Sequence, residues 1–476
     1  MSEFKNINFG FASAEKEKAK NPELLINGYV DFEGAYKSAI KGDEFLYLGY
    51  KGSGKSAIGK KIELESENSH DLFAKIIFIG DFPFTSFAKM VKGTPEPEAR
   101  LPTAWAWLLL LYVMQSLDSD NGLSHSNKDV WDRSIAALRT AGMIGDADIS
   151  SLVKRTTKRG FRVGIPKVLE FEKSSEENSD ADLAVYVDSL KEIIKGSSTE
   201  SRHIIVLDGL DDIVTKREIQ FTSIGSLILE SGRLNELFAE YGLPVKIVIL
   251  CRTDLFEKTS NANKNKVRQD YAVELDWYHD PREPKNSHLV EIANARAALS
   301  LKKEIDVFHD FFPIEVDRTP SVTYCLEMTR HTPRDFLQIL SHTQKFCDGS
   351  RLTVEQVKSG LRDYSIKYFL PEIKDELNGY CTQAEIDGFV RAVSRLKKRE
   401  FAYQEFIAEM KEERVEESEA RKVLEALFEC SALGTISKRP SGMSYFTFKF
   451  RNRNSVFNSN ERIILHRGVW KALNLV

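Results

Sequence analysis

The chain has 476 residues, of which 42% are hydrophobic and 29% charged, and this balance indicates folded domains rather than extended disorder. At roughly 100–200 residues per domain, the length predicts about two to four domains. The formal net charge of −4, from 67 basic and 71 acidic residues, excludes a basic coat over the whole chain, so contact with nucleic acid would need a local patch.

The cysteines and the apolar runs indicate where the protein resides. The five cysteines are scattered, and none lies in a Cys-x-x-Cys or Cys/His spacing. This argues against a disulfide framework or a zinc ribbon and favours a reducing cytoplasm. The N-terminal segment has no apolar signal core, and the longest apolar run, Ala104–Met114, is too short to span a bilayer. We therefore expect a cytoplasmic protein without a membrane segment.

Strands and helices alternate through the first half of the chain. Apolar runs predict four strands: Glu44–Leu48, Ala74–Gly80, His203–Leu207 and Val245–Leu250. Helices are predicted at Phe32–Lys41, from Ser56 to about Glu65, at Thr103–Leu117, and from about Ser223 to Tyr241. Apolar strands that alternate with helices are typical of a parallel sheet with right-handed crossovers. The predicted fold class is therefore α/β.

The segment Gly49–Ser56, GYKGSGKS, fits the phosphate-loop pattern GxxxxGK[ST] at every fixed position and lies between a predicted strand and a predicted helix. Glycines let the backbone wrap around phosphate oxygens, and successive N–H groups with the helix N-terminus bind the anion. Lys55 is expected to reach the β- and γ-phosphates, and the Ser56 hydroxyl to bind Mg²⁺. The predicted nucleotide-binding residues are Gly49, Tyr50, Lys51, Gly52, Ser53, Gly54, Lys55, Ser56 and Ala57. The alternative is a degenerate loop that binds nothing.

An acidic residue ends the strand His203–Leu207. In a P-loop fold the acid at such a strand end holds Mg²⁺, and Asp208 takes that place. The next residue, often a glutamate that orients the attacking water, is Gly209. Asp211 or Asp212 is a candidate for that role, and the alternative is that both cap the following segment.

Two arginines are candidates for sensing the γ-phosphate. Arg252 follows the strand Val245–Leu250, where a polar side chain can face the phosphate; the alternative is an interdomain salt bridge. Arg334 lies in His331-Thr332-Pro333-Arg334-Asp335, which reads as a helix start with Thr332 as the N-cap and Asp335 completing a box-like cap. Arg334 would then project from the first turn, and the alternative is a surface or interface arginine.

These motifs together resemble the AAA+/STAND branch of P-loop ATPases. The Asp208–Asp212 sequence DGLDD is similar to the DGLDE of NACHT-type STAND proteins, and Leu250-Cys251-Arg252 resembles their strand-end Thr-Ser-Arg. The loop KGSGKSAI and the N-terminal Phe9–Glu17 segment resemble a bacterial P-loop ATPase family. The resemblance implies ATP or ADP and Mg²⁺ as cofactors.

Two features depart from the resemblance. The separation of Ser56 and Asp208 exceeds that of a usual AAA+ core, which implies a helical insertion near residues 85–200. The missing glutamate after Asp208 predicts slow hydrolysis. The basic run Lys154–Arg159 lies within the insertion and is either a solvated helix face or a contact for nucleic acid or a partner.

The remainder of the chain predicts two further domains. Residues 256–370 are expected to form a helical lid, after the core at 1–255, with Pro371–Cys381 as a linker. In 371–476, three helices precede a strand, a turn at Arg439–Gly442 and an alternating run, Ser444–Phe450. This order resembles a winged-helix domain, and the closing sequence from Glu461 resembles the end of winged helices in origin-recognition-type ATPases.

Residues 431–476 carry eight basic residues against a single acidic one, Glu461, whereas 401–430 carry nine glutamates and four basic residues. The basic segment could bind DNA or RNA phosphates, or it could pack against its acidic neighbour or form an oligomer interface.

The leading hypothesis is a slow, Mg²⁺-dependent switch ATPase in which nucleotide state changes domain orientation or oligomeric state, with a homo-oligomer or an effector protein as partner. By analogy, such proteins often act in bacterial antiviral defence or stress responses. The alternatives are a DNA-binding initiator or loader and a scaffold that holds nucleotide without hydrolysing it.

Overall fold

A computed structural model describes residues 3–80, 82–87, 89–90, 100–158, 161–166, 168, 183–210, 218–259, 264–280, 282–438 and 442–475. The chain divides into two compact units. The sheet unit comprises Asp31–Lys51 and Lys55–Leu275, and the helical unit comprises Met1–Val30, Gly52–Gly54 and Asp276–Val476. The division into three domains at 255 and 370 stays a prediction. Within the described residues, no helix has the length and apolar character needed to cross a membrane.

The sheet unit is built on five parallel strands in the order β2-β5-β6-β1-β7. Its strands, including the short antiparallel pair β3–β4, are β1 Leu46–Gly49, β2 Leu72–Phe78, β3 Ser124–His125, β4 Ser197–Ser198, β5 Arg202–Asp208, β6 Val245–Arg252 and β7 Ala272–Glu274. The parallel pairing confirms the predicted α/β class. The edge strand β7 was not predicted, since it is only three residues long.

Helices surround this sheet along the chain. They are Ala35–Lys41, Lys55–Glu67, Phe84–Phe87, Leu101–Asp118, Lys128–Thr140, Ile149–Thr156, Leu183–Lys195, Glu218–Glu240, Thr253–Lys258 and Lys264–Tyr271. The helix Leu101–Asp118 is buried along nearly its whole length, and its two indoles still find acceptors. Trp105 donates to the Ser223 carbonyl at 3.0 Å and Trp107 to the Thr156 hydroxyl at 3.1 Å. Helices within the predicted insertion thus belong to the core of this unit.

The helical unit carries most of its helices after residue 287. They are Ala14–Lys20, Glu23–Ile26, His288–Leu301, Val307–Phe311, Ser321–Leu326, Pro333–Gln344, Val354–Tyr364, Leu370–Leu377, Gln383–Leu396, Tyr403–Glu412, Glu417–Glu429 and Arg467–Trp470. The helix Pro333–Gln344, called the Pro333 helix below, begins at the predicted N-cap Thr332.

The prediction of a linker at Pro371–Cys381 is wrong. The helix Val354–Tyr364 continues through a π-helical turn, Ser365–Phe369, into Leu370–Leu377. Pro371 has no N–H to donate and would disrupt a regular helix, and it lies directly after the π-helical turn, where the regular hydrogen-bond pattern is already interrupted. Apolar side chains of this segment, among them Ile373, are fully buried, so the segment is part of the packed core.

Three helices and a four-stranded antiparallel sheet form the end of the helical unit. The strands, with the short pair β8–β9 before them, are β8 Glu315–Val316, β9 Thr319–Pro320, β10 Glu400–Phe401, β11 Leu433–Lys438, β12 Ser444–Thr447 and β13 Arg462–Leu465. The sheet order is β10-β13-β11-β12. The predicted strand Ser444–Phe450 ends earlier, at Thr447, and Phe448 and Phe450 are buried beyond its end. The turn residues 439–441 lie outside the described residues, and the winged-helix assignment stays a prediction.

Candidate nucleotide-binding site

The backbone of the phosphate loop, Gly49–Ser56, adopts conformations that require glycine. Gly52 and Gly54 have φ angles of 84° and 95°, in the left-handed region that side chains disfavour. A Cβ atom at Gly54 would meet no atom within 4 Å, so its conformation rather than crowding accounts for the glycine. The loop therefore has the strand–turn–helix setting that the motif predicts, with β1 before it and the helix Lys55–Glu67 after it.

Lys55 is buried at the start of its helix, with 3% of its surface exposed. Its ammonium group donates to the carbonyl oxygens of Gly49 at 3.0 Å and Tyr50 at 3.1 Å. These bonds hold the cation against the first residues of the loop. A buried positive charge beside a helix N-terminus favours binding of an anion.

Asp208 ends strand β5 and is almost completely buried. Its Oδ1 accepts a hydrogen bond of 2.8 Å from the N–H of Gly209. Strand β6 lies between β5 and β1, so Asp208 and the phosphate loop follow the carboxyl ends of strands in one parallel sheet. Ligands of open α/β sheets bind at that edge.

The donor set at this edge fits Mg²⁺ better than a transition metal. The described residues hold no group of three or more His, Cys, Asp or Glu side chains that could bind a metal. Mg²⁺ needs no such cage, because one or two protein oxygens together with phosphates and waters suffice. Ser56 and Asp208 are of the required type. Asp211 and Asp212 lie outside the described residues.

Gly209 stands where a catalytic glutamate is often found, and a larger residue there would be strained by the backbone and would have to displace the Phe78 ring. Its φ angle is 85°, and a Cβ atom built on it would lie 2.5 Å from Cε2 of Phe78. Phe78 is the register partner of Asp208 across β2 and β5.

Arg252 ends strand β6 and pairs in register with Gly49 of β1. Its Nε and Nη2 each donate to a different oxygen of Asp254, both at 2.8 Å. Arg252, the predicted γ-phosphate sensor, therefore lies at the edge of the sheet, and its guanidinium is paired with the carboxylate of Asp254.

Within the helical unit, the start of the Pro333 helix contacts the loop apex, Gly52–Gly54. The N–H of Arg334 donates to the Gly52 carbonyl at 3.3 Å. A Cβ atom at Gly52 would lie 3.1 Å from Cβ of Arg334 and 3.2 Å from Oγ1 of Thr332. The Arg334 guanidinium donates to Glu372 at 3.3 Å. The predicted sensor arginine thus lies beside the loop, with a carboxylate partner of its own.

Of the box-like cap predicted for the Pro333 helix, only the hydrogen bond from the Asp335 N–H to Thr332 is present, and the Asp335 carboxylate has other partners. Thr332 Oγ1 accepts from the Asp335 N–H at 3.2 Å, whereas the Asp335 carboxylate accepts from Arg330 at 2.9 and 3.1 Å and from the Tyr368 hydroxyl at 2.9 Å. Burial disfavours the charged carboxylate, but the Arg330 guanidinium outweighs burial and holds the pKa of Asp335 below its ordinary value. Arg330 also pairs with Glu376 at 2.5 Å. This buried network anchors the first turn of the Pro333 helix.

Sequence reasoning missed Trp277, which contacts the loop apex directly. Its indole N–H donates to the Ser53 carbonyl at 2.8 Å, and the side chain is buried. The two residues are 224 positions apart, and no local pattern marks such a contact.

The N-terminal segment Phe9–Glu17 is held by a buried ion pair. Glu17 receives hydrogen bonds from Arg296 at 2.7 and 3.0 Å and from the Phe11 N–H at 3.0 Å. A Cβ atom at Gly10 would lie 2.1 Å from both partners of the pair, which accounts for the glycine. Gly10 and Glu17 of this N-terminal segment therefore have a structural role, because both belong to the packing around the Arg296 ion pair.

Comparison with known proteins gives a local match and distant likenesses. Residues 287–370 match the family model described as FunZ-associated C-terminal helical domain. The chain is 21% identical over 502 residues to the putative transposon gamma-delta 80.3 kDa protein of Escherichia coli strain K12, across 98% of this chain and 67% of that protein.

Three solved structures resemble the chain distantly. The Aeropyrum pernix ORC1 protein in complex with DNA has a TM-score of 0.38 and 13% identity, over 99% of this chain and 96% of that chain. Drosophila ORC bound to DNA has a TM-score of 0.31 and 12% identity, over 97% and 91%. Cdc6p from Pyrobaculum aerophilum has a TM-score of 0.31 and 11% identity, over 98% and 97%. Scores at this level carry no information about the ligands or partners of this chain.

Proposed function

We propose that this chain is an ATP-binding, Mg²⁺-dependent ATPase of the AAA+ type that acts as a nucleotide-dependent switch. The observation that carries the proposal is the phosphate loop itself: glycines at positive φ, a buried Lys55, and Asp208 at the end of a strand in the same parallel sheet. No other chemistry explains a buried lysine at the start of a helix beside a glycine loop as simply as anion binding does.

Each residue has a role in this proposal. Lys55 and the loop N–H groups bind the phosphates, while Ser56 and Asp208 hold Mg²⁺, which neutralises charge on the phosphates when bound. Arg252 and Arg334 sense the γ-phosphate by exchanging their carboxylate partners for it. Asp211 or Asp212 orients the attacking water.

Hydrolysis is expected to be slow because position 209 cannot supply a water-orienting carboxylate. Slow turnover suits a switch, in which the duration of the ATP state matters more than the rate of product formation. The finer assignment to the STAND branch, and a role in bacterial antiviral defence or stress, rest on the resemblance of the DGLDD segment. Such a switch would act by forming a homo-oligomer or by binding an effector protein.

The test is nucleotide binding and phosphate release by Lys55→Ala. We expect both to be lost, since the variant removes the buried cation. Lys60→Ala is the matched control, because Lys60 lies on the same helix and its ammonium group pairs with Glu63 at 3.1 Å. Turnover by Lys55→Ala equal to that of the Lys60 variant contradicts the proposal. Native mass spectrometry with ATP and Mg²⁺ reports subunit number in the same samples, and bound nucleotide without phosphate release would favour the scaffold alternative.

Nucleic-acid binding is a second candidate function, favoured by one feature of the helical unit. A cavity of about 330 Å³ is lined by Phe446, Phe448, Phe450 and Arg451, among others. Arg451 is exposed, and its guanidinium lies over the rings of Phe448 and Phe450 at 5.5 and 5.6 Å. An exposed arginine beside aromatic rings in a basic segment suits phosphate and base contacts.

The two arginines of the basic segment allow a matched test of this candidate. Arg453 is mostly buried and lies 3.1 Å from Asp276. We therefore expect Arg451→Gln to weaken salt-dependent DNA binding and to lower the salt slope by about one, whereas Arg453→Gln leaves that slope unchanged. No DNA binding by the unmodified chain at low salt would reject this candidate.

A further inference from the structure

Two neighbouring peptide groups of the loop apex, Gly52–Gly54, accept hydrogen bonds from other residues of the helical unit. The Gly52 carbonyl accepts from the Arg334 N–H at 3.3 Å, and the Ser53 carbonyl accepts from the Trp277 indole at 2.8 Å. A peptide group is planar, so fixing the carbonyl of one residue fixes the direction of the N–H of the next. The Arg334 bond therefore orients the Ser53 N–H, and the Trp277 bond orients the Gly54 N–H.

The direction of these N–H groups matters because a phosphate loop binds its anion with successive backbone N–H groups. Gly52 and Gly54 do not themselves fix the directions of these N–H groups, since glycine is the most permissive residue. The hydrogen bonds from Arg334 and Trp277 supply that restraint. The buried indole suits this task, because its ring carries a single N–H donor, which is directed at the Ser53 carbonyl.

The residues that flank Trp277 connect it with the end of the helical unit. Asp276 lies 3.1 Å from Nε of Arg453 in an ion pair. The Tyr278 ring packs edge-on against Phe450, with centroids 5.7 Å apart, and against His331 at 5.0 Å. Three consecutive residues, Asp276–Tyr278, thus contact the loop apex and the residues that follow β12.

We propose that Trp277 is a positioning residue for the phosphate loop, and that Asp276–Tyr278 carries a change at the loop apex to the segment around Phe450 and Arg453. The inference rests on the proposed function, because it concerns nucleotide bound at this loop. It adds Trp277, which lies outside the phosphate-loop motif, as a residue that influences nucleotide affinity. It also names the residues that connect the loop apex with the segment around Phe450 and Arg453.

The test compares Trp277→Phe with Trp470→Phe. Both variants keep an aromatic ring and remove an indole N–H, and the Trp470 indole donates to the Leu465 carbonyl at 2.8 Å, a bond of the same kind that does not involve the loop. Loss of one such hydrogen bond predicts roughly two- to tenfold weaker binding of ATP and ADP by Trp277→Phe. Trp470→Phe is expected to bind both within twofold of the unmodified chain.

Tryptophan fluorescence supplies a readout that a purely structural role would not change. Addition of nucleotide should alter the emission of the unmodified chain and of Trp470→Phe, and this change should be lost in Trp277→Phe. Trp277→His, which restores a ring N–H, should recover part of the affinity. Hydrogen exchange of the unmodified chain adds a measurement that needs no variant: exchange at 276–278 and 448–453 should change when ATP and Mg²⁺ are added.

The outcomes separate this inference from the proposed function. If the unmodified chain binds nucleotide but Trp277→Phe matches the Trp470 variant in affinity and fluorescence, the inference is overturned and the proposed function stands. Unchanged exchange at 276–278 and 448–453 in the nucleotide-bound chain overturns it equally. If the unmodified chain binds no nucleotide, the proposed function fails and this inference fails with it.

Discussion

The ring of Phe78 occupies the space into which a side chain at Gly209 would project. A Cβ atom at 209 would lie 2.5, 2.6 and 3.0 Å from three atoms of that ring. The contact follows from the parallel pairing of β2 and β5, which sets Phe78 opposite Asp208. The positive φ at position 209 favours glycine, and a side chain there would also have to displace the exposed Phe78 ring.

Gly209→Ala should destabilise the chain by about 1–3 kcal/mol, because the left-handed backbone disfavours a side chain and the Phe78 ring must move. The free energy of unfolding, measured with urea, checks this value. Gly164→Ala is the control, since a Cβ atom there meets nothing within 4 Å and its φ is ordinary. Equal effects of the two substitutions would contradict the argument, and Phe78→Ala should recover part of the loss in Gly209→Ala.

Arg334→Ala should weaken ATP binding about tenfold more than ADP binding, because only ATP carries the γ-phosphate that this arginine is proposed to sense. Glu372→Gln should act in the opposite direction and strengthen ATP binding, since it removes the carboxylate that Arg334 now contacts. Isothermal titration with each nucleotide measures both effects.

The control for this pair is Arg351→Ala. Arg351 lies in the same unit and donates to the His309 and Phe312 carbonyls at 2.7 and 2.8 Å. It should leave the ratio of ATP to ADP affinity unchanged. If Arg334→Ala weakens both nucleotides alike, the arginine supports the loop apex and does not distinguish the γ-phosphate.

The stability of the chain should fall between pH 6.5 and pH 3 through His331. Burial lowers the pKa of His331 to about 3, and Arg451, His466 and His279 further disfavour its charged form, while Asp335 opposes the shift. Within the described residues, neither ring nitrogen has a hydrogen-bond partner. The unfolded chain takes up a proton below about pH 6.5 that the folded chain refuses, so acid favours unfolding, by about 2 kcal/mol for this group at pH 5.

His331→Phe should remove that share of the pH dependence. The ring already stacks on Phe450, with centroids 5.3 Å apart and planes at 16°, so phenylalanine fits the same packing. Urea unfolding of both chains at pH 7 and pH 5 gives the comparison. An equal loss of stability in both chains on acidification would show that His331 is not responsible.

Arg296→Met should destabilise the chain by about 3–5 kcal/mol, because it leaves the Glu17 carboxylate buried without its partner. Lys303→Met is the control: Lys303 pairs with Glu3 at 2.8 Å, but both side chains are about half exposed, and such pairs contribute about 0–1 kcal/mol. Thermal or urea unfolding separates the two. A small effect of Arg296→Met would mean that water reaches Glu17 once the arginine is gone.

The amino-acid sequence alone determined the elements that depend on neighbours in the chain. The phosphate loop, the strands that become β1, β2, β5 and β6, and the N-cap of the Pro333 helix were all predictable, because glycine spacing, apolar runs and capping residues act over a few positions. The α/β class followed from their order. The prediction of a linker at Pro371 failed because proline is compatible with both a chain break and an irregular helical turn, and only the burial of that segment decides between them.

Only the tertiary structure decided the contacts between residues that are far apart in the chain. Phe78 meets Gly209 through strand register, Arg334 contacts Gly52, and Trp277 donates to Ser53. No local pattern distinguishes this tryptophan from the other four. A long-range contact exists only once the chain has folded, because its stabilisation follows the closure of a long loop and leaves no signature in the residues beside it.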